Sequence, residues 1–185
     1  DRERRANFRL PAGISAVNLA GLPPRPASAL QPGQSALFDD LLRDAPGWDD
    51  VAWLQANTRL PVILKGILHP DDARQAASLQ AGGVIVSNHG GRTLDSAPPT
   101  AEALPRIADA LAGALPLLVD GGIRRGTDIL KAMALGANAV LVGKPYVFGL
   151  ANAGALGVAH VLRLLRDELE IAMALCGCAT LDAIP

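Results

Sequence analysis

From residue 60 onward, short unbroken apolar runs alternate with segments whose apolar positions recur at helical spacing. The runs cover residues 61–65, 84–87, 115–120 and 139–143, and each is only 4–6 residues long. Runs this short and this uninterrupted fit strands of a parallel sheet covered on both faces. Between them, residues 71–81, 101–112 and 127–135 carry helical periodicity, and a longer helical pattern, 155–175, follows the last run. His69-Pro70-Asp71-Asp72 places a proline and two acids at one helix start. Thr100 and Thr127 are the expected N-caps of two other helices, and Gly82 and Gly136 fall where C-terminal caps belong.

The pattern makes four consecutive strand–helix units. Polar and glycine residues gather just after each strand: Lys65-Gly66, then 87–92, 120–125 and Gly143-Lys144. In a (β/α)8 barrel the chemistry sits at that end of the strands. An open doubly wound sheet is the alternative, but the first strand lacks the glycine fingerprint of a dinucleotide site. A barrel is therefore expected. A complete one has eight strands and typically about 250 residues, so the four units read as the second half of a barrel. Residues 1–58 hold no comparable strands; they are rich in Pro, Gly, Ser and Ala and read as a long loop closed by a helix at 48–58. The expected organisation is a lid-like segment at 1–58 and a half-barrel at 59–185.

Composition narrows the function classes. Half of the 185 residues are hydrophobic and 19% are charged, which is globular rather than disordered. The net charge of −1 and the lack of a basic run argue against nucleic acid and anionic membrane as partners. No apolar stretch is expected to reach the roughly 18 residues of a membrane span. The charged opening, Asp-Arg-Glu-Arg-Arg, does not read as a secretory signal. The two cysteines, Cys176 and Cys178, are too few for a disulfide framework and lack the second pair of a zinc site. Free thiols and a cytoplasmic location are expected.

The strand ends carry the candidate chemistry. Lys65 brings a cation that could stabilise an anionic cofactor or intermediate, against the plainer reading of a surface lysine. In Ser87-Asn88-His89-Gly90-Gly91-Arg92 the glycines remove steric cover around a base and a guanidinium. An imidazole can take a proton near neutral pH and a guanidinium can hold a carboxylate bidentately. Either could instead be an ordinary structural or solvated residue, but the pairing on one glycine turn favours function. Asp95 is left between pairing with Arg92 and capping the next segment, and His69 and His160 read as surface residues. Asp120-Gly121-Gly122-Ile123-Arg124 and Gly143-Lys144-Pro145 end the last two strands, where barrels frequently bind phosphate. Glycines let backbone N–H groups approach the anion, and a helix start and basic side chains favour it. Asp120 could contact a polyol just inside the phosphate. A phosphorylated cofactor and a small acid would fill such an arrangement.

The segments Leu64-Lys65-Gly66, Val86 to Arg92, Val119 to Asp128, Lys131 to Gly136 and Val142 to Pro145 resemble the FMN-dependent α-hydroxy acid oxidases and dehydrogenases. That family includes glycolate and lactate oxidases and lactate and mandelate dehydrogenases. The resemblance implies an FMN enzyme oxidising a small L-2-hydroxy acid to the 2-keto acid. It implies His89 as the base, Arg92 as carboxylate clamp, Lys65 at the flavin N1/O2 edge and Ser87 against the flavin. Asp120 would contact the ribityl chain, and Gly121, Gly122, Arg124, Gly143 and Lys144 would surround the phosphate. Arg2 would match a second substrate arginine, and residues 16–44 a mobile lid. The implied partners are the acid, an electron acceptor (oxygen, a quinone or a cytochrome), further copies in a homo-oligomer, and the N-terminal half of the barrel. A quinone acceptor would add membrane association. Lys144 stands where the family usually has arginine, and Thr93 where it often has glutamine. With half of the flavin cradle lacking, the chain alone is expected to be inactive. The rival readings are a non-catalytic half-barrel and another phosphate-binding barrel, an isomerase or lyase without flavin.

Overall fold

The computed structural model describes residues 5–23 and 30–185. The chain divides into two units, Asp1–Ala45 and Pro46–Pro185. In the first, the expected loop includes a 3-10 turn at Val17–Leu19 and a π-helical segment at Ala36–Leu41. Ser35 starts the latter: its Oγ accepts from the N–H groups of Leu37 and Phe38 at 3.2 and 3.3 Å, and its own N–H donates to Asp39 Oδ2 at 2.6 Å.

The second unit begins with α1, Trp48–Asn57, whose entry is fixed by Gly47 N–H donating to Asp50 Oδ2 at 2.7 Å. Gln55 Nε2 on this helix donates to the carbonyls of Leu79 and Gln80 at 3.0 and 3.3 Å, and Trp48 packs on the main core. These contacts make α1 part of the half-barrel rather than the end of the loop before it.

Then come β1 (Ile63–Ile67), α2 (Pro70–Ser78), β2 (Gly83–Val86), α3 (Thr100–Leu111), β3 (Leu117–Val119), α4 (Gly126–Ala134), β4 (Ala139–Val140) and α5 (Lys144–Leu175). The four strands form one parallel sheet in the order β1-β2-β3-β4. Sequential parallel strands joined by helices are half of a (β/α)8 barrel, as the pattern predicted. Val84, Val86, Leu104 and Ile107 are wholly buried where β2 meets α3. Only β2 is buried along its whole length; β1 and β4 each pair on one side among the described residues, and both carry exposed positions.

Several local expectations are corrected. β1 runs on to Ile67 past a bulge at Gly66, so Lys65 lies within the strand rather than at its end. Pro99, not Thr100, caps α3, and Arg125, not Thr127, caps α4. α2 stops at Ser78, and Gln80 rather than Gly82 takes the left-handed position (φ 55°). The N–H of Gln80 donates to Ala77 O at 2.9 Å and that of Ala81 to Ala76 O at 3.0 Å, which closes the helix without a glycine. Gly82 is needed for a different reason: a Cβ there would lie 2.6 Å from Pro61 Cβ. Gly136 does close α4 as expected, with φ 103° and its N–H on Met133 O at 2.9 Å. The same cap ends α5, where Gly177 (φ 74°) sits between the two free cysteines.

α5 also overturns the membrane-span expectation. It is 32 residues long and contains an 18-residue window of mean hydropathy 1.4, enough to cross a membrane by length and composition. The stretch between Lys144 and Arg163 holds no charged residue, a run hidden in the sequence by its many Gly and Ala positions. The backbone leaves helical geometry at Ala153 and Gly154, so the window is two helical pieces rather than one rod. Gly149, Gly157, Leu165 and Ala172 are buried, while Phe148, Leu156 and Leu175 stay largely exposed.

Candidate cofactor and substrate site

Side chains alternate along a strand, and in-register neighbours share a face. Lys65 is in register with Ile85, and Ile85 with Leu118. Ser87 and Asp120 lie two residues beyond Ile85 and Leu118, so Lys65, Ser87 and Asp120 share the face opposite Val84 and Val86. There they meet. Lys65 Nζ is 2.8 Å from Asp120 Oδ2 and donates to Ser87 Oγ at 2.9 Å. Ser87 is buried, the Asp120 side chain is 19% exposed, and the Lys65 side chain 42%.

This cluster lies at one wall of a cavity of about 840 Å³, a size ordinary for a small-molecule site. The cavity receives residues from all four strand ends, including His89 and Arg92, Gly121 to Arg124, and Gly143 and Lys144. Ser87 does not line it but sits beneath, where its Oγ also accepts the N–H of His89 at 3.1 Å. His89 holds a left-handed backbone (φ 56°), followed by Gly90 and Gly91, both at φ 68°. Arg2 lies outside the described residues.

The phosphate end differs from expectation in one respect. The start of α4 is already filled by carboxylates: Asp128 Oδ2 accepts from the N–H groups of Arg124 and Arg125, both at 3.0 Å, and Glu168 Oε2 accepts from Gly126 at 2.8 Å. Those donors and the positive end of the helix are spent within the protein. An anion would instead be met by the Arg124 and Lys144 side chains and by the glycine turns. Gly121 and Gly122 have φ of 86° and 84°, and a Cβ on Gly122 or Gly143 would project into open space.

The residues fit a flavin mononucleotide. Asp120 Oδ1 is buried with no hydrogen-bond partner, a state that costs about 1–3 kcal/mol. An acceptor so placed suits a polyol hydroxyl. It lies between a cation suited to an electron-rich ring edge and a basic, glycine-lined pocket suited to phosphate.

Sequence reasoning passed over three residues that hold the site together. Thr100 Oγ1 donates to Gly121 O at 3.3 Å, Asn88 spans the turn that carries His89, and Glu168 reaches α4 from the last helix. Asn88 lies inside the Ser87 to Arg92 motif and Thr100 reads in the sequence only as a helix cap, whereas nothing in the linear pattern marks Glu168.

Fold and cavity together define a half-barrel built around a phosphorylated cofactor. The family model described as FMN-dependent dehydrogenase matches residues 1–185, and the chain belongs to that family. It is 54% identical over 184 residues to an L-lactate oxidase of Roseobacter sp. (strain GAI101), covering 100% of this chain and 50% of that protein. Glycolate oxidase 1 of Zea mays is 47% identical, over 96% of this chain and 48% of its own length. A solved structure of mandelate oxidase with (S)-2-phenylpropionate superposes with a TM-score of 0.82 at 44% identity, covering 99% of this chain and 48% of that one. The chain thus spans about half the length of these relatives and matches their C-terminal half.

Proposed function

We propose that this chain is the FMN-binding C-terminal half of an enzyme that oxidises a small L-2-hydroxy acid to the 2-keto acid. The observation that carries this reading is the Lys65–Ser87–Asp120 cluster on the same cavity as His89 and Arg92. Lys65 and Asp120 would hold the ring edge and the ribityl chain, with Gly121, Gly122, Arg124, Gly143 and Lys144 around the phosphate. When bound, FMN supplies a two-electron acceptor. Arg92 orients the substrate carboxylate by a paired, charge-assisted contact. His89 takes and holds the proton released as the alcohol becomes a ketone. The relatives named as oxidases favour oxygen as the final acceptor.

The exposed apolar residues of α5 and the one-sided strands β1 and β4 support a further element of the reading: the other half of the barrel covers them. The 185 residues by themselves would then associate in solution and lack turnover. The test is FMN titration of the chain alone and co-expressed with the N-terminal half of a lactate oxidase relative, followed by anaerobic lactate, glycolate or mandelate. Bleaching of the flavin band in the completed barrel alone is the expected result. Turnover by the isolated chain would refute its dependence on the other half. A completed barrel that binds FMN but is bleached by none of the acids would refute the reaction.

A further inference from the structure

We propose that Asn88 is a positioning residue that holds the base and the carboxylate clamp in register with the cofactor wall. This rests on the hydroxy-acid reading for its chemistry, though not for its geometry. The segment between β2 and α3 carries both His89 and Arg92, and residues 89–96 are all exposed. Packing therefore contributes little to their placement. The backbone of His89 is left-handed, a conformation that costs a non-glycine residue about 1–2 kcal/mol and persists only where the surroundings impose it.

The Asn88 carboxamide supplies the restraint from both ends. Its Oδ1 accepts the N–H of Gly91, the residue just before Arg92, at 3.2 Å, alongside the Asn88 carbonyl at 3.0 Å. Its Nδ2 donates to Pro98 O, at the far end of the loop, at 3.2 Å. One partner is a donor and the other an acceptor, so the amide has only one orientation. The same Oδ1 is 3.3 Å from where a Cβ on Gly121 would stand, so it rests against the residue next to Asp120. Asn88 thereby ties the substrate turn to the β3 end that faces the cofactor. Aspartate keeps the acceptor but turns a carboxylate oxygen toward the Pro98 carbonyl, and alanine loses both contacts.

The experiment has two arms. In the 185-residue chain, amide exchange at Gly91 should speed up about 10-fold in Asn88→Ala, the factor expected for a lost bond of about 1.4 kcal/mol. Asn88→Asp should retain most protection at Gly91 and speed exchange at Ala97, the loop amide beside Pro98 that donates to Leu94 O at 3.4 Å; it also serves if the alanine variant fails to fold. In the completed, FMN-loaded barrel, flavin reduction by the best wild-type substrate should slow about 10- to 100-fold with a raised KM. FMN affinity and reduction by dithionite should be unchanged, which a general loosening of the fold would not allow. Unchanged Gly91 exchange, or substrate reduction within about twofold of wild type, would overturn the proposal. If no acid reduces the wild-type flavin, the hydroxy-acid reading fails while the exchange arm still decides the role of Asn88.

Discussion

Lys65 Nζ stands 2.8 Å from Asp120 Oδ2, joining β1 to the end of β3 across the strand that lies between them. The pair is half open to solvent on the lysine side, so its contribution to folding is modest, about 1 kcal/mol or less. Its value lies in orientation: one carboxylate oxygen is engaged by the lysine, and the other is buried and unpartnered.

Asp120→Ala should therefore weaken FMN binding in the completed barrel by about 10- to 100-fold, the loss of a charge-assisted hydrogen bond. Urea stability of the 185-residue chain should change by no more than about 1 kcal/mol. Fluorescence-quenching titrations and denaturation curves check the two halves of this expectation. Loss of stability with unchanged FMN affinity would assign Asp120 to the fold instead.

His89 and Arg92 should separate kinetically. His89→Gln removes the proton acceptor and should slow flavin reduction by about 10²- to 10⁴-fold, leaving FMN affinity intact. Arg92→Lys keeps the charge but loses the paired geometry, so KM should rise about 10-fold with a smaller change in rate. Stopped-flow reduction across a range of substrate concentration distinguishes the two.

Lys144 offers a gain-of-affinity test. Lys144→Arg should restore a bidentate contact to phosphate and tighten FMN binding about 3- to 10-fold. Riboflavin, which lacks the phosphate, should bind equally to both proteins. An equal effect on both ligands would move Lys144 away from the phosphate.

Two glycines should tolerate no side chain. A Cβ on Gly126 would overlap the backbone of Glu168 and Leu169, and one on Gly157 the carbonyl of Gly149. Gly126→Ala and Gly157→Ala should each cost about 3 kcal/mol in chemical denaturation. Gly47→Ala, where a Cβ meets nothing, should cost about 1 kcal/mol or less.

What could be read from the chain alone was local. Apolar periodicity identified the four strand–helix units and their order, because strand and helix repeats are written in consecutive residues. Glycine-rich strand ends marked the turns, and the residue types of the Ser87 to Arg92 segment pointed to their chemistry. The register between strands was not legible, and it is register that sets Lys65, Ser87 and Asp120 on one face. Glu168 takes the α4 N–H that a phosphate was expected to use, across 42 residues of sequence. Gln80, not a glycine, closes α2, while Gly82 is held against Pro61. Asn88 gains its role only once Pro98 and Gly121 are brought beside it. Each of these depends on which distant backbone arrives within hydrogen-bond or van der Waals distance, and packing of the sheet against its helices decides that.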